Sequence, residues 1–120
     1  MIVYAFDVDD TLEIAEGPVK LQDLMDLRNQ GHIVGLCGNW HSFVKIVPKW
    51  QEYVSFIGQP FIGAVSKEAW LCDLWERIDA DEYVMVGNIP GVSGPSDDIG
   101  AAARAGWRFI KESDFAEGAR

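Results

Sequence analysis

Short apolar runs alternate with amphipathic stretches along this chain, and that alternation sets the expected elements. Ile2 to Phe6 is a brief β-branched and aromatic run, which reads as a buried strand. Gly17-Pro18 opens a stretch with Leu21, Leu24, Met25 and Arg28 at helical spacing, and Gly31 stands where a C-terminal capping glycine is expected. Ile33 to Cys37 predicts a second strand. Trp40, Phe43, Val44 and Val47 recur at helical intervals, with Pro48 ending or kinking that helix. Tyr53 to Ile57 predicts a third strand. Ser66 is placed to cap a helix whose buried face carries Leu71, Leu74, Trp75 and Ile78.

Further on, Tyr83 to Val86 predicts a fourth strand and Asn88 to Ser96 a Gly/Pro/Ser loop. A helix from about Asp97 is rich in small residues (Gly100, Ala101, Ala102, Ala103, Ala105), which permit close packing on a sheet. Trp107 to Ile110 predicts the last strand, and residues 111–120 are polar and read as a fraying tail. Strands alternating with helices imply βαβ units, hence an α/β fold: a Rossmann-like three-layer sandwich with a mostly parallel, five-stranded sheet. With 120 residues, no repeat and no linker, residues 1–120 are expected to form one domain.

Composition narrows the function classes. Hydrophobic residues make up 48% of the chain, enough for a core, and 24% charged residues argues against disorder. The net charge of -9 and the lack of any Lys/Arg run argue against nucleic acid as a partner. No apolar run approaches membrane-spanning length, and the N-terminus lacks a signal-peptide pattern. Cys37 and Cys72 make neither a disulfide framework nor a zinc spacing. The expectation is a cytoplasmic protein with no membrane partner. His32 and His41 have no spaced ligand partners and read as surface or locally bonded residues. Trp40, Trp50, Trp70 and Trp75 read as core, and any that face solvent would suggest a subunit interface and a homo-oligomer.

The chemistry is concentrated where the first strand ends. Asp7-Val8-Asp9-Asp10-Thr11-Leu12 puts three carboxylates into four positions at a strand's carboxyl end, the edge where open α/β sheets place ligands. Their repulsion calls for a positive counterpart, for which Mg²⁺ is the natural candidate. Asp10 directly follows Asp9 and, on near-extended backbone, is expected to point away from Asp7 and Asp9 as a local hydrogen-bonding residue.

This segment resembles the Asp-x-Asp-x-Thr-Leu signature of the haloacid dehalogenase-like (HAD) phosphohydrolases, and the resemblance extends over nearly the whole chain. It implies that Asp7 is the nucleophile that forms an aspartyl-phosphate and that Asp9 is the general acid and base. Mg²⁺ would be held by Asp7 and the backbone carbonyl of Asp9. The family's second motif, a Ser or Thr after strand two, aligns with Cys37, a weaker donor, followed by Gly38 and Asn39, whose amides can bind phosphate. A buried, inert cysteine is the alternative for Cys37. The third motif, a charge-neutralising Lys, aligns with Lys67 at a helix start, where a cation is unfavourable unless an anion is near.

The family's fourth, acidic motif aligns with Gly87-Asn88 and then Asp98. Asn88 offers a carbonyl oxygen to Mg²⁺ without the charge. Asp97 is the competing second acidic ligand, although Ser96, Asp97 and Asp98 could equally serve the helix start as cap and dipole partners. Neither the stretch from Thr11 to Ile33 nor that from Asn39 to Lys67 has room for a cap domain, so the resemblance is to small capless members. It implies a Mg²⁺-dependent phosphomonoester phosphatase acting on a phosphorylated small molecule or a phosphoprotein, with the site closed by a neighbouring subunit in the first case. The alternative is a degenerate domain that binds a phosphorylated ligand or partner without catalysis, because Cys37 and Asn88 depart from the family pattern. Dehalogenation or phosphoryl transfer between sugars is a weaker third reading.

Overall fold

The computed structural model describes residues 1–58, 66–89 and 97–120. Among them lie strands β1 (Ile2–Phe6), β2 (Ile33–Leu36), β3 (Glu82–Gly87) and β4 (Arg108–Lys111). The helices are α1 (Leu21–Asn29), α2 (Trp40–Ile46), α3 (Lys67–Arg77), α4 (Asp98–Ala105) and α5 (Glu112–Ala116). The strands form one sheet in the order β2-β1-β3-β4, and every pair is parallel. β1 is therefore central, with Phe6 level with Leu36 on one side and Val86 on the other.

Alternation along the strands divides the core into two layers. Tyr4, Phe6, Val34, Leu36, Val84 and Val86 face one way and bury Leu24, Leu27, Phe43 and Phe115 from α1, α2 and α5. Val3, Ala5 and Met85 face the other way, onto Leu71 and Leu74 of α3, Ala102 of α4 and Trp107. The α/β architecture is thus as expected, and it is compatible with a Rossmann-like arrangement.

Four expectations are corrected. The sheet has four strands among the described residues, not five. Tyr53 to Ile57 contributes a single bridge, Gly35 to Phe56, with Leu36 N donating to Phe56 O at 3.0 Å and Ser55 N to Val34 O at 2.7 Å. A 3-10 turn at Trp50–Glu52 uses the amides of Tyr53 and Val54, and Gly58 at φ 135 redirects the chain, so the pairing cannot lengthen. The tail is no frayed end: α5 anchors it through Phe115, fully buried edge-on to Phe6 with ring centroids 5.2 Å apart. Trp75 is 48% exposed, lying stacked on Tyr83 and outside the core, while Trp40, Trp50 and Trp70 are half-buried. Asp10 adopts left-handed backbone (φ 58) in place of extended backbone, because the chain turns sharply as Thr11 N and Leu12 N both return to Val8 O.

The caps follow local chemistry. Ser66 caps α3 by accepting from Ala69 N at 3.1 Å, and Gly31 ends α1 at φ 92. Ser96 and most of the Asn88 to Ser96 loop lie outside the described residues, and Asp97 caps α4 by accepting from Gly100 N at 3.1 Å. His32 is locally bonded, its Nδ1 accepting from Ile2 N at 3.1 Å.

Candidate active site

β1 delivers Asp7 to the carboxyl edge of the sheet. Its amide donates to Val86 O at 2.9 Å, which prolongs the β1–β3 ladder by one residue and fixes the start of the acidic turn. Asp7 is 3% exposed. Lys67, the first residue of α3, reaches across to it with Nζ 2.8 Å from Asp7 Oδ1. The same ammonium lies 2.6 Å from Oδ1 of Asp98, the first residue of α4, which is fully buried. Asp98 Oδ2 accepts from Asn88 N at 2.8 Å, tying α4 back to the end of β3. One cation thus bridges two buried carboxylates drawn from three separate elements.

The backbone makes room for this cluster. A Cβ on Gly38 would fall 2.5 Å from Asp7 Oδ1, and one on Gly87 would fall 2.4 Å from Asp98 Oδ2. Only glycine permits such approaches without displacing a carboxylate.

Charge and burial oppose each other here. Burial pushes the Asp7 carboxyl up to about 7, with Asp98 adding to the rise while Lys67 pulls the other way. Burial also works against the Lys67 charge, but the attraction of the Asp7 carboxylate, with that of Asp98 added, holds its ammonium above the ordinary lysine range. Lys67 therefore stays charged beside the buried Asp7 carboxyl. Asp7 Oδ2 is buried with no hydrogen-bond partner, an orphaned acceptor that a ligand or ion can satisfy.

The remaining expected residues surround this centre. Asp9 is exposed, and its Oδ1 accepts from Asn39 Nδ2 at 3.3 Å. Asn39 also caps α2, accepting from Ser42 N at 3.4 Å. Cys37 is fully buried, its amide donating to Phe6 O at 2.8 Å, and burial pushes its thiol well above the ordinary range. It is a neutral wall residue in this arrangement. Asn88 is buried, its Oδ1 accepting from Thr11 Oγ1 at 3.3 Å and its Nδ2 donating to Asp10 O at 3.2 Å. Asp97 is exposed and occupied with capping, whereas Asp98 joins the cluster.

Sequence reasoning gave Thr11 no role of its own, yet its hydroxyl orients the Asn88 amide. Glu112 was also passed over. It is 4% exposed with Oε2 unpartnered, one residue beyond Lys111, which pairs with Gly87 at this same edge. A lone acid in a polar tail carries no signal that would single it out.

Among the described residues no three His, Cys, Asp or Glu side chains gather in the manner of an all-protein metal cage. Mg²⁺ does not require one: it keeps several waters and takes one or two carboxylates. The oxygens that could serve such a site are Asp7 Oδ2, which has no partner, and Asn88 Oδ1, which a rotation of the Thr11 hydroxyl would free; both Asp98 oxygens are engaged, by Lys67 and by Asn88 N. No helix among the described residues is long and apolar enough to cross a membrane. No family model, no curated protein and no solved structure matches the chain.

Proposed function

We propose that this protein is a Mg²⁺-dependent phosphomonoester phosphatase of the small, capless haloacid dehalogenase-like type. The observation that carries the reading is the buried Asp7 carboxylate at the end of β1, held by Lys67 with one oxygen open. A carboxylate fixed in this way, and charge-balanced on only one of its oxygens, suits in-line attack on phosphorus. Asp7 attacks the phosphomonoester, the bond from phosphorus to the ester oxygen breaks, and Asp9 gives its proton to the departing oxygen. Asp9 then takes a proton from water, which attacks the aspartyl-phosphate and releases inorganic phosphate and free Asp7. Lys67 offsets the charge on the phosphoryl oxygens, Asn39 orients Asp9, and the amides of Gly38 and Asn39 receive the phosphate.

Asp7, the Asp9 carbonyl, Asn88 and Asp98 would hold Mg²⁺, which when bound polarises the phosphoryl group as a Lewis acid. A phosphorylated small molecule or a phosphoprotein is the substrate class, in a cytoplasmic setting.

One observation favours a second reading, a domain that binds a phosphorylated ligand without turnover. Both Asp98 oxygens are already engaged, and an amide stands at position 88 where a second free carboxylate would strengthen the metal site.

Hydrolysis of a generic aryl phosphate, measured with Mg²⁺ and with chelator beside Asp7→Asn, separates the two. Mg²⁺-dependent turnover lost in a folded Asp7→Asn protein is the expected outcome. Measurable Mg²⁺ binding with no turnover above the variant would refute the phosphatase and favour the binding domain.

A further inference from the structure

At the end of the sheet remote from Asp7, an open groove of about 590 Å³ lies between the C-terminal end of α3, the turn into β3 and the start of β4. Trp75 forms part of its wall, 48% exposed yet stacked on Tyr83 with ring centroids 4.4 Å apart and planes inclined by 29°. That stack fixes an aromatic face toward solvent. The lining is also acidic. Glu82 is answered by Arg108 at 3.1 Å and Asp81 by the amino terminus at 2.5 Å, but Glu76 and Asp79 make no salt bridge among the described residues. An exposed aromatic side chain beside two carboxylates without a direct ion pair suits a planar cation: a guanidinium stacks on indole while its edge donates to carboxylate.

We propose that this groove docks an arginine-bearing segment of a protein partner, with a guanidinium over Trp75 and Glu76 and Asp79 as its counter-charges. Charge complementarity picks this occupant. A second copy would bring another chain of net charge -9 to an acidic lining. The inference is independent of the phosphatase reading, because no residue of the groove belongs to the Asp7 cluster.

The test is a titration of the isotope-labelled full chain with an acetylated, amidated Gly-Arg-Gly-Arg-Gly peptide, followed by amide NMR shifts. The Lys counterpart serves as comparison. Shift changes should concentrate at residues 75–83 and 106–108, with the Lys peptide binding several-fold more weakly. Trp75→Ala should weaken the Arg peptide by about tenfold. Asp79→Asn, an exposed change that disturbs no packing, should weaken it and flatten its salt dependence. Equal affinity for the two peptides, shifts spread over the acidic surface, insensitivity to both variants, or no binding would each overturn the proposal.

Discussion

Replacing Lys67 by Met probes the cluster most directly. The substitution removes the one cation that bridges Asp7 and Asp98 while keeping an unbranched side chain of similar length. The two carboxylates, 3% and 0% exposed, are then left facing each other without compensation. Breaking a buried pair in this way costs about 3–5 kcal/mol. At roughly 2.1 cal/mol/K per residue the entropy of unfolding for a chain of this size is about 0.25 kcal/mol/K, so Tm should fall by about 12–20 °C.

The loss should depend on pH, and its sign is fixed. Burial already holds Asp7 up to about 7, above its unfolded value, so the native state binds more protons than the unfolded chain between about pH 4 and 7. Stability from this group is thus greatest at low pH and falls as pH rises through that window. Without Lys67 the one cation that holds Asp7 down is gone, its carboxyl rises further, and the deficit relative to wild type should be largest at pH 8 and shrink toward pH 5. Thermal melts followed by circular dichroism at both pH values measure it, and Mg²⁺ added at pH 8 should restore part of the loss. A deficit below about 1 kcal/mol, or one unchanged between pH 8 and pH 5, would refute the charge argument.

Two further substitutions test the frame around the site. Gly38→Ala would put a Cβ 2.5 Å from Asp7 Oδ1, so we expect Asp7 to be displaced, aryl phosphate turnover to drop on the order of 100-fold and stability to fall by about 1–3 kcal/mol; unchanged kcat/KM would show that the approach is not constraining. Phe115→Ala should cost about 3–5 kcal/mol in urea unfolding, since the ring is fully buried against Phe6 and Tyr4; a loss under about 1 kcal/mol would return α5 to the status of a loose tail.

What could be read from the sequence divides along physical lines. β1, β2 and β3 were legible because each is a short apolar run that the sheet buries on both faces, and the caps at Ser66 and Gly31 were legible because their chemistry is local. The Tyr53 to Ile57 run has the same composition as a strand. It fails to extend because the preceding turn takes up its amides and Gly58 ends the pairing, which depends on geometry that composition does not report. Trp75 shares a helical spacing with Leu71 and Leu74, but periodicity fixes only the side of the helix, and at that turn Trp75 meets the first residues of β3, stacking on Tyr83 while staying half open to solvent. α5 rests on one aromatic side chain, too little for a periodic signal.

For the site, Asp7 was legible from the abrupt change from apolar run to acid, and Lys67 from its awkward place at a helix start. The structure supplies the anions that explain that place. The tie from Thr11 to Asn88 joins residues far apart in the chain, and nothing in either local pattern announces it.

The central place of β1 also bears on how the chain matures. β1 is made first, yet it pairs with β2 and with β3, and the latter contact joins Ile2 to Glu82. During synthesis β1 must wait, half-paired, until β3 has emerged. Closing so long a loop before any of its contacts can form makes this a late step in folding. Lys67 precedes β3 in the chain and Asp98 follows it, so the charged groups around Asp7 are complete only after that closure. Until β3 and α4 have emerged Asp7 is therefore a hydrated carboxylate, and the buried, cation-bridged setting that distinguishes it comes only with the finished sheet.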